Sequence, residues 1–558
     1  MEPILTSDGR RSRFCARPQT GSWALGALAA ALGLYGCGSG AEASAGKDVQ
    51  EGQLSADYAV GVPCDQSLPK PTPYWSLQLS GEMYAWSPSN MAAAADGSVY
   101  YGGSFRSPTF TINGEVYAKN TSKNESDVFV VKVGPGGEVE WTRTVAGPQD
   151  EFLYHIGCDE DNGVILAGKL EPTEFHGGTY DPAPVDLGGG PLGCEQCDCE
   201  ADLCQAGFLL KLDKNGSHVW SRVFNGSQWM GPSSTAAAGN GDLWVVGAFH
   251  PPELTLDGLT FDSGLAACAD EYNCSSSMVL LKLGADGNVL DGHAWPVAGK
   301  EYNQALTADG HGGVLLTGWY FFGGPDLGTV KPLPLDDGPG CENFFDQVCG
   351  DGFLARINQD FEVEWVLSVS GDLADGFGSP VLTSSGGVAV GVASTSAEAK
   401  LPCDLGISKC ESPGACTRGG VLSVTIDGEC EWLAPGGGLK TGVSPYMLWP
   451  EKSGYLLVTG AFAGPKLNLG CGDLLNVSAD PAESDAVMWE MTPDGDTTWA
   501  VALGGSGRDG AKGLARMPDG TIRWVIQFDS ELLTIPGIGE VANSYPGERD
   551  LIALALRQ

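Results

Sequence analysis

Basic residues are scarce in this chain. Thirty-one Lys and Arg stand against 70 Asp and Glu in 558 residues, a formal charge of −39. A field of that sign repels phosphate backbones and anionic lipid surfaces, so nucleic acid is excluded as a partner and cations or basic partners are favoured. Histidine is scarcer still. The six residues (155, 176, 218, 250, 293 and 311) never fall in an H-x-H or H-E-x-x-H spacing, which removes the zinc-enzyme signatures. No G-x-S-x-G elbow and no Walker loop is present. Helical periodicity is missing from the body of the chain, which argues against a helical protein.

Glycine is abundant. Its 82 residues suit strands and tight turns, and 42% hydrophobic residues indicate a globular chain. The N-terminus is different in kind. Arg10, Arg11, Arg13 and Arg17 form a basic segment, followed by the uncharged apolar run GSWALGALAAALGLY from Gly21 to Tyr35. That run is too short for a bilayer-spanning anchor and reads as a signal peptide. It closes on Leu34-Tyr35-Gly36-Cys37, which resembles the bacterial lipobox. The resemblance implies cleavage after residue 36 and a diacylglycerol on the Cys37 sulfur. Residues 37–72, small and Gly/Ser/Ala-rich at their start, are expected to be a flexible tether.

From residue 73 onward three signatures alternate in fixed order. One is a Trp followed six positions later by Gly, at Trp75, Trp141, Trp220, Trp365, Trp432 and Trp499, with a degenerate copy in which Trp295 is out of register. A second is Gly followed by a β-branched or aromatic run that often ends in Gly, as in GVILAGKL from Gly163 and GYLLVTGAF from Gly454. The third is the run DVFVVKV from Asp127 and its relatives. Each recurs seven times, joined by DG and NG hairpin turns such as DKNG at Asp213 to Gly216. The fold opens on a Trp strand at PYWSLQLSG and stops on a third-signature strand at DLIALALRQ, so each end supplies what the other lacks. Pairing them closes a ring and leaves no exposed sheet edge. The expected architecture is all-β: a single seven-bladed β-propeller over residues 73–558, about four antiparallel strands per blade, closed by the N- and C-terminal strands, with the recurring Trp residues packed between sheets.

The pattern D-x-F-(V/L)-x-K, then W-x5-G, then G-x-(V/L)-x-(V/L)-x-G resembles the seven-bladed propeller repeats of bacterial secreted and surface proteins. That family implies binding or scaffolding and has no shared catalytic residues. LKLDKNGSHVW and WEMTPDGDTTW also resemble the quinoprotein-type repeat, although the chain lacks that group's adjacent Cys pair.

Most cysteines precede third-signature strands in four consecutive repeats. Disulfides that staple long loops of an exported protein are expected there, with Cys268–Cys274 and Cys341–Cys349 as local pairs and Cys194, Cys197, Cys199 and Cys204 as a third group. The last group also has a spacing that a zinc ion would accept, which export to an oxidising compartment disfavours. No cofactor is expected other than calcium. Its candidate ligands are Asp159 and Asp161 in the turn DEDNG, a composition that a hairpin turn also requires. The expected protein is a monomeric, non-catalytic lipoprotein at the outer membrane or surface of a Gram-negative-type bacterium, touching the membrane through its lipid alone and binding a protein or glycan through its stapled loops. The alternative is a lyase or hydrolase working at the central funnel.

Overall fold

The computed structural model describes residues 69–558 apart from short stretches, the longest being 193–205, 266–276, 329–349 and 402–417. These residues belong to the compact unit Tyr58–Gln558. Cys37 and the expected signal peptide and tether, up to residue 68, lie outside the described residues.

Among the described residues every regular element is a strand, and the strands form seven antiparallel blades. The second blade shows the plan. From the axis outward it runs Glu151–Cys158, Val164–Leu170, Ala206–Leu212 and His218–Phe224. We call these strands A to D. The Gly-led signature is strand B, the D-x-F signature is strand C and the Trp signature is strand D. Strands B and C are buried on both faces, which explains their near-continuous apolar runs; Val164–Leu170 and Ala206–Leu212 each expose only a Lys in part.

Blade seven joins the two ends. Asp509–Arg516, Ile522–Phe528 and Asp550–Arg557 are its strands A to C, and Thr72–Ser80 is its strand D. Trp75 stands opposite Ala555 and Leu79 opposite Leu551, so the ring closes as expected.

The core is divided into seven apolar clusters, one between each pair of neighbouring blades. The seam between blades seven and one packs Leu77 and Leu551 against Phe110 and Phe129. Each buried Leu or Phe contributes roughly 1.5–3 kcal/mol, so apolar side chains supply most of the hold between blades.

The nine-residue spacing before each Trp is a cross-strand pair: Lys132–Trp141, Lys211–Trp220 and Arg356–Trp365 face one another across the C–D hairpin. Each half-buried Trp also reaches the next blade. The indole N–H of Trp141 donates to Lys214 O at 3.0 Å, Trp220 to Ala285 O at 3.0 Å, Trp365 to Ile426 O at 2.8 Å and Trp432 to Pro493 O at 3.0 Å. All four acceptors lie in C–D turns. The turn glycine beneath each ring is required twice over: Gly216 has φ +78, and a Cβ there would sit 2.9 Å from the Trp141 ring.

Blade three breaks the pattern. Asp291 takes the Trp register position opposite Lys282. In blade four the corresponding turn glycine is Phe361, at φ 63. Its ring packs edge-on to Trp244 at 5.4 Å and lies 6.5 Å from His293. An aromatic from the following blade thus fills the volume that a Trp fills elsewhere. Trp295, displaced from the register, is buried against His293 instead.

Candidate functional site: a ring of bulged residues around the channel

Strand A carries no repeated signature, and it is the strand that faces the axis. In blade two Leu153 pairs with Gly168 and His155 with Ala167, so Tyr154 is bulged out of the ladder. Ser233 is skipped between Pro232 and Ser234 in blade three, Tyr446 between Pro445 and Met447 in blade six, and Lys512 between Ala511 and Gly513 in blade seven. Blade four skips Asn303 and Gln304. In blade five the inner strand is itself interrupted over 378–380, and in blade one its described parts are Met83–Tyr84 and Met91–Ala93. A bulge inserts one residue, bends the strand and re-aims that side chain. The bulges of blades two, six and seven therefore re-aim Tyr154, Tyr446 and Lys512 on the strand nearest the axis, while the Ser233 hydroxyl donates to Val246 O at 3.2 Å.

In blades two and six the glycine that ends the strand-B signature makes this possible. A Cβ on Gly168 would lie 2.0 Å from Phe152 O, and one on Gly460 2.0 Å from Ser444 O. The bulged strand A presses its carbonyls into the space that a side chain on strand B would need.

The ring has usable chemistry. Burial, reinforced by the charge of Arg549, brings the Lys512 amine down to about 8. The Tyr446 phenol is held above its ordinary value by burial, opposed by a hydrogen bond with Ser444 and by Arg508. Beside Tyr154, burial pushes the His155 imidazole down to about 4, so it is neutral at physiological pH. A lysine poised near neutrality and the phenols of Tyr154 and Tyr446, the latter 42% exposed, could bind an anion or pass a proton.

The other expected site residues fall elsewhere. Asp159 and Asp161 lie in the A–B turn of blade two. Asp159 Oδ1 accepts the N–H groups of Asp161 at 2.9 Å and Gly163 at 2.6 Å, while Oδ2 pairs with Lys211 Nζ at 3.1 Å. Cys194, Cys197, Cys199, Cys204, Cys268, Cys274, Cys341 and Cys349 all lie outside the described residues. Cys158 is a free cysteine whose thiol burial raises to about 12, which makes it inert. A cavity of about 220 Å³ sits off the axis between blades one and two, lined by Val130, Arg143, Leu166, Asp186 and Leu210 among others. It shares no residue with the ring. Sequence reasoning missed the ring because bulged positions obey neither apolar alternation nor a fixed residue type. In blades two and six their sequence trace is the terminal Gly of the strand-B signature, which the blade-seven strand Ile522–Phe528 lacks.

No protein-family model matches the chain, and no curated protein does. Solved structures do. The polysaccharide lyase Uly1 is 10% identical over 88% of this chain and 94% of its own, with a TM-score of 0.39. Hydrazine synthase of Kuenenia stuttgartiensis is 10% identical over 79% and 93%, TM-score 0.36. The Pan2 WD40 domain of Neurospora crassa is 8% identical over 87% and 97%, TM-score 0.33. Likenesses this distant carry no argument about activity.

Proposed function

We propose that this protein is an exported, lipid-anchored β-propeller that binds a glycan bearing carboxylate or sulfate groups in its central channel. The observation that carries the reading is the set of bulged side chains on the inner strands, which includes the half-buried Lys512. A lysine at the bulge of an inner strand offers a charge-assisted contact to a carboxylate or sulfate that enters the channel. Long-range repulsion of such a ligand is screened beyond about 8 Å at physiological salt, so the local contact decides. Tyr154 and Tyr446 offer the flat, amphipathic surfaces on which sugar rings pack.

The anchoring part rests on the basic segment, the apolar run and Cys37. Mass spectrometry of the N-terminal peptide tests it: a diacylglyceryl group on Cys37 is expected, and an unmodified Cys37 or a cleavage elsewhere would refute it. Stapled loops on the B–C rim complete the reading, with Cys158 free and neither Cys430 nor Cys471 carrying a free thiol. Binding is tested by calorimetry with uronate and neutral oligosaccharides of equal length. Uronate binding that is lost in Lys512→Met is expected; equal affinity for both series sinks the idea.

A lyase acting at the same ring is the second reading. Lys512, with its amine near 8, would serve as base and Tyr446 as acid. New chain ends on prolonged incubation with a polyuronate would establish it, and binding without product would eliminate it.

A further inference from the structure

At each seam the start of strand C lies beside the start of the next blade's strand A, and at three seams both residues are acids: Asp127 with Glu151, Asp351 with Asp375, and Asp485 with Asp509. The two members are 24 residues apart every time. Backbone contacts hold them together. Glu151 N–H donates to Ser126 O at 2.7 Å and Asp375 N–H to Gly350 O at 2.8 Å, while the Ser484 hydroxyl donates to Asp509 O at 3.0 Å. The glycine six positions after the seam Trp supplies an N–H to an acid: Gly147 to Glu151 Oε2 at 2.8 Å, Gly371 to Asp351 Oδ1 at 3.1 Å and Gly505 to Asp509 Oδ2 at 2.7 Å.

These hydrogen bonds satisfy only part of each carboxylate. Glu151, Asp485 and Asp509 are each fully buried, and Glu151 Oε1, Asp485 Oδ1 and Asp509 Oδ1 have no partner. The oxygens on the other side are occupied: Asp509 Oδ2 also accepts from Ser530 at 2.7 Å, and Asp485 Oδ2 accepts from Val477 N at 2.8 Å. No Lys or Arg pairs with any of the three among the described residues. Asp127, Asp150 and Glu171 all add negative charge around Glu151, and Asp485 adds it at Asp509. A buried charge without compensation costs several kcal/mol, so two side by side demand a counter-charge.

We propose that the seams Asp127–Glu151 and Asp485–Asp509 are cation sites that take calcium. The donors are hard oxygens only, which suits calcium over softer transition metals. No group of three or more His, Cys, Asp or Glu side chains surrounds a common point among the described residues. Each site therefore supplies two carboxylates, and backbone carbonyls and water must provide the remaining ligands. Asp159 lacks this character, because both its oxygens are already engaged.

The test is a calcium count on the full-length protein, stripped with EGTA and dialysed against millimolar calcium. Glu151→Gln and Asp509→Asn are each expected to lose one bound calcium relative to the unaltered protein. No bound calcium, or an unchanged count in both variants, overturns the proposal and leaves shared protons as the counter-charge. Should a variant fail to fold, crystals of the unaltered protein soaked in terbium decide. Anomalous peaks between Asp485 and Asp509 and between Asp127 and Glu151 are expected, and peaks confined to other positions refute the sites.

Discussion

Single residues at the seams divide into those that clamp and those that carry charge. Trp365 gives one hydrogen bond to Ile426 O and covers Gly428 in the next blade. Trp365→Phe keeps most of the contact area and removes the N–H, so a loss of about 1 kcal/mol is expected in urea unfolding. The irregular seam allows a sharper test. Asp291→Trp alone should clash with the ring of Phe361 and destabilise. Pairing it with Phe361→Gly restores the arrangement of the other seams, so the double variant should be less damaged than the sum of the singles.

The buried acids predict a pH dependence whose sign can be worked out. Burial raises Asp485 to about 6 and Asp509 to about 7 from an ordinary 3.8. The folded protein therefore retains protons that the unfolded chain releases. For these groups, stability without calcium is greatest below pH 4 and falls as pH rises towards 7. Thermal midpoints between pH 5 and 8 should decline in EGTA, less steeply in Asp509→Asn and less steeply again with calcium, which takes the protons' place. A midpoint that rises over that interval in EGTA contradicts the assignment.

At the scale of elements, the inner strands depend on glycines that belong to their neighbours. Gly460→Ala puts a methyl group 2.0 Å from Ser444 O, and the bulge that presents Tyr446 must shift or flatten. A loss of about 1–3 kcal/mol is expected by denaturant titration, together with loss of any channel ligand. The contrast between strands explains what could be read beforehand. Strands B, C and D pack on both faces or clamp a neighbouring turn, so packing dictates residue type, and the three signatures are the imprint of that demand. Strand A faces water inside a channel and is bulged, so neither alternation nor residue type survives. The ring of Tyr154, Ser233, Tyr446 and Lys512 was for that reason invisible in the sequence. The paired acids were visible in principle, because strand C, the C–D hairpin, strand D and the crossing to strand A keep one length at every seam. Asp485 and Asp509 nevertheless look like two among 70 acids until their neighbours are known.

For the whole molecule, length varies on one rim alone. The B–C connections hold the added hairpins Glu253–Leu256 with Leu259–Asp262 and Leu532–Ile535 with Gly539–Ala542, as well as the Cys-rich stretches. Deleting residues 550–558 removes strand C of blade seven and bares the edges of Thr72–Ser80 and Ile522–Phe528. Such a truncation is expected to aggregate in size-exclusion chromatography, because no other strand can take the vacant place.

The clasp also sets a clock on biogenesis. Blades one to six are each assembled from one continuous stretch, but Trp75 meets Ala555 only after some 480 intervening residues have been made. A nascent chain can build six sectors in order as they emerge, yet its first strand waits unpaired until Asp550–Arg557 has been made. Ring closure is therefore the last step of assembly. Until then the assembling body is an open arc rather than a finished disk.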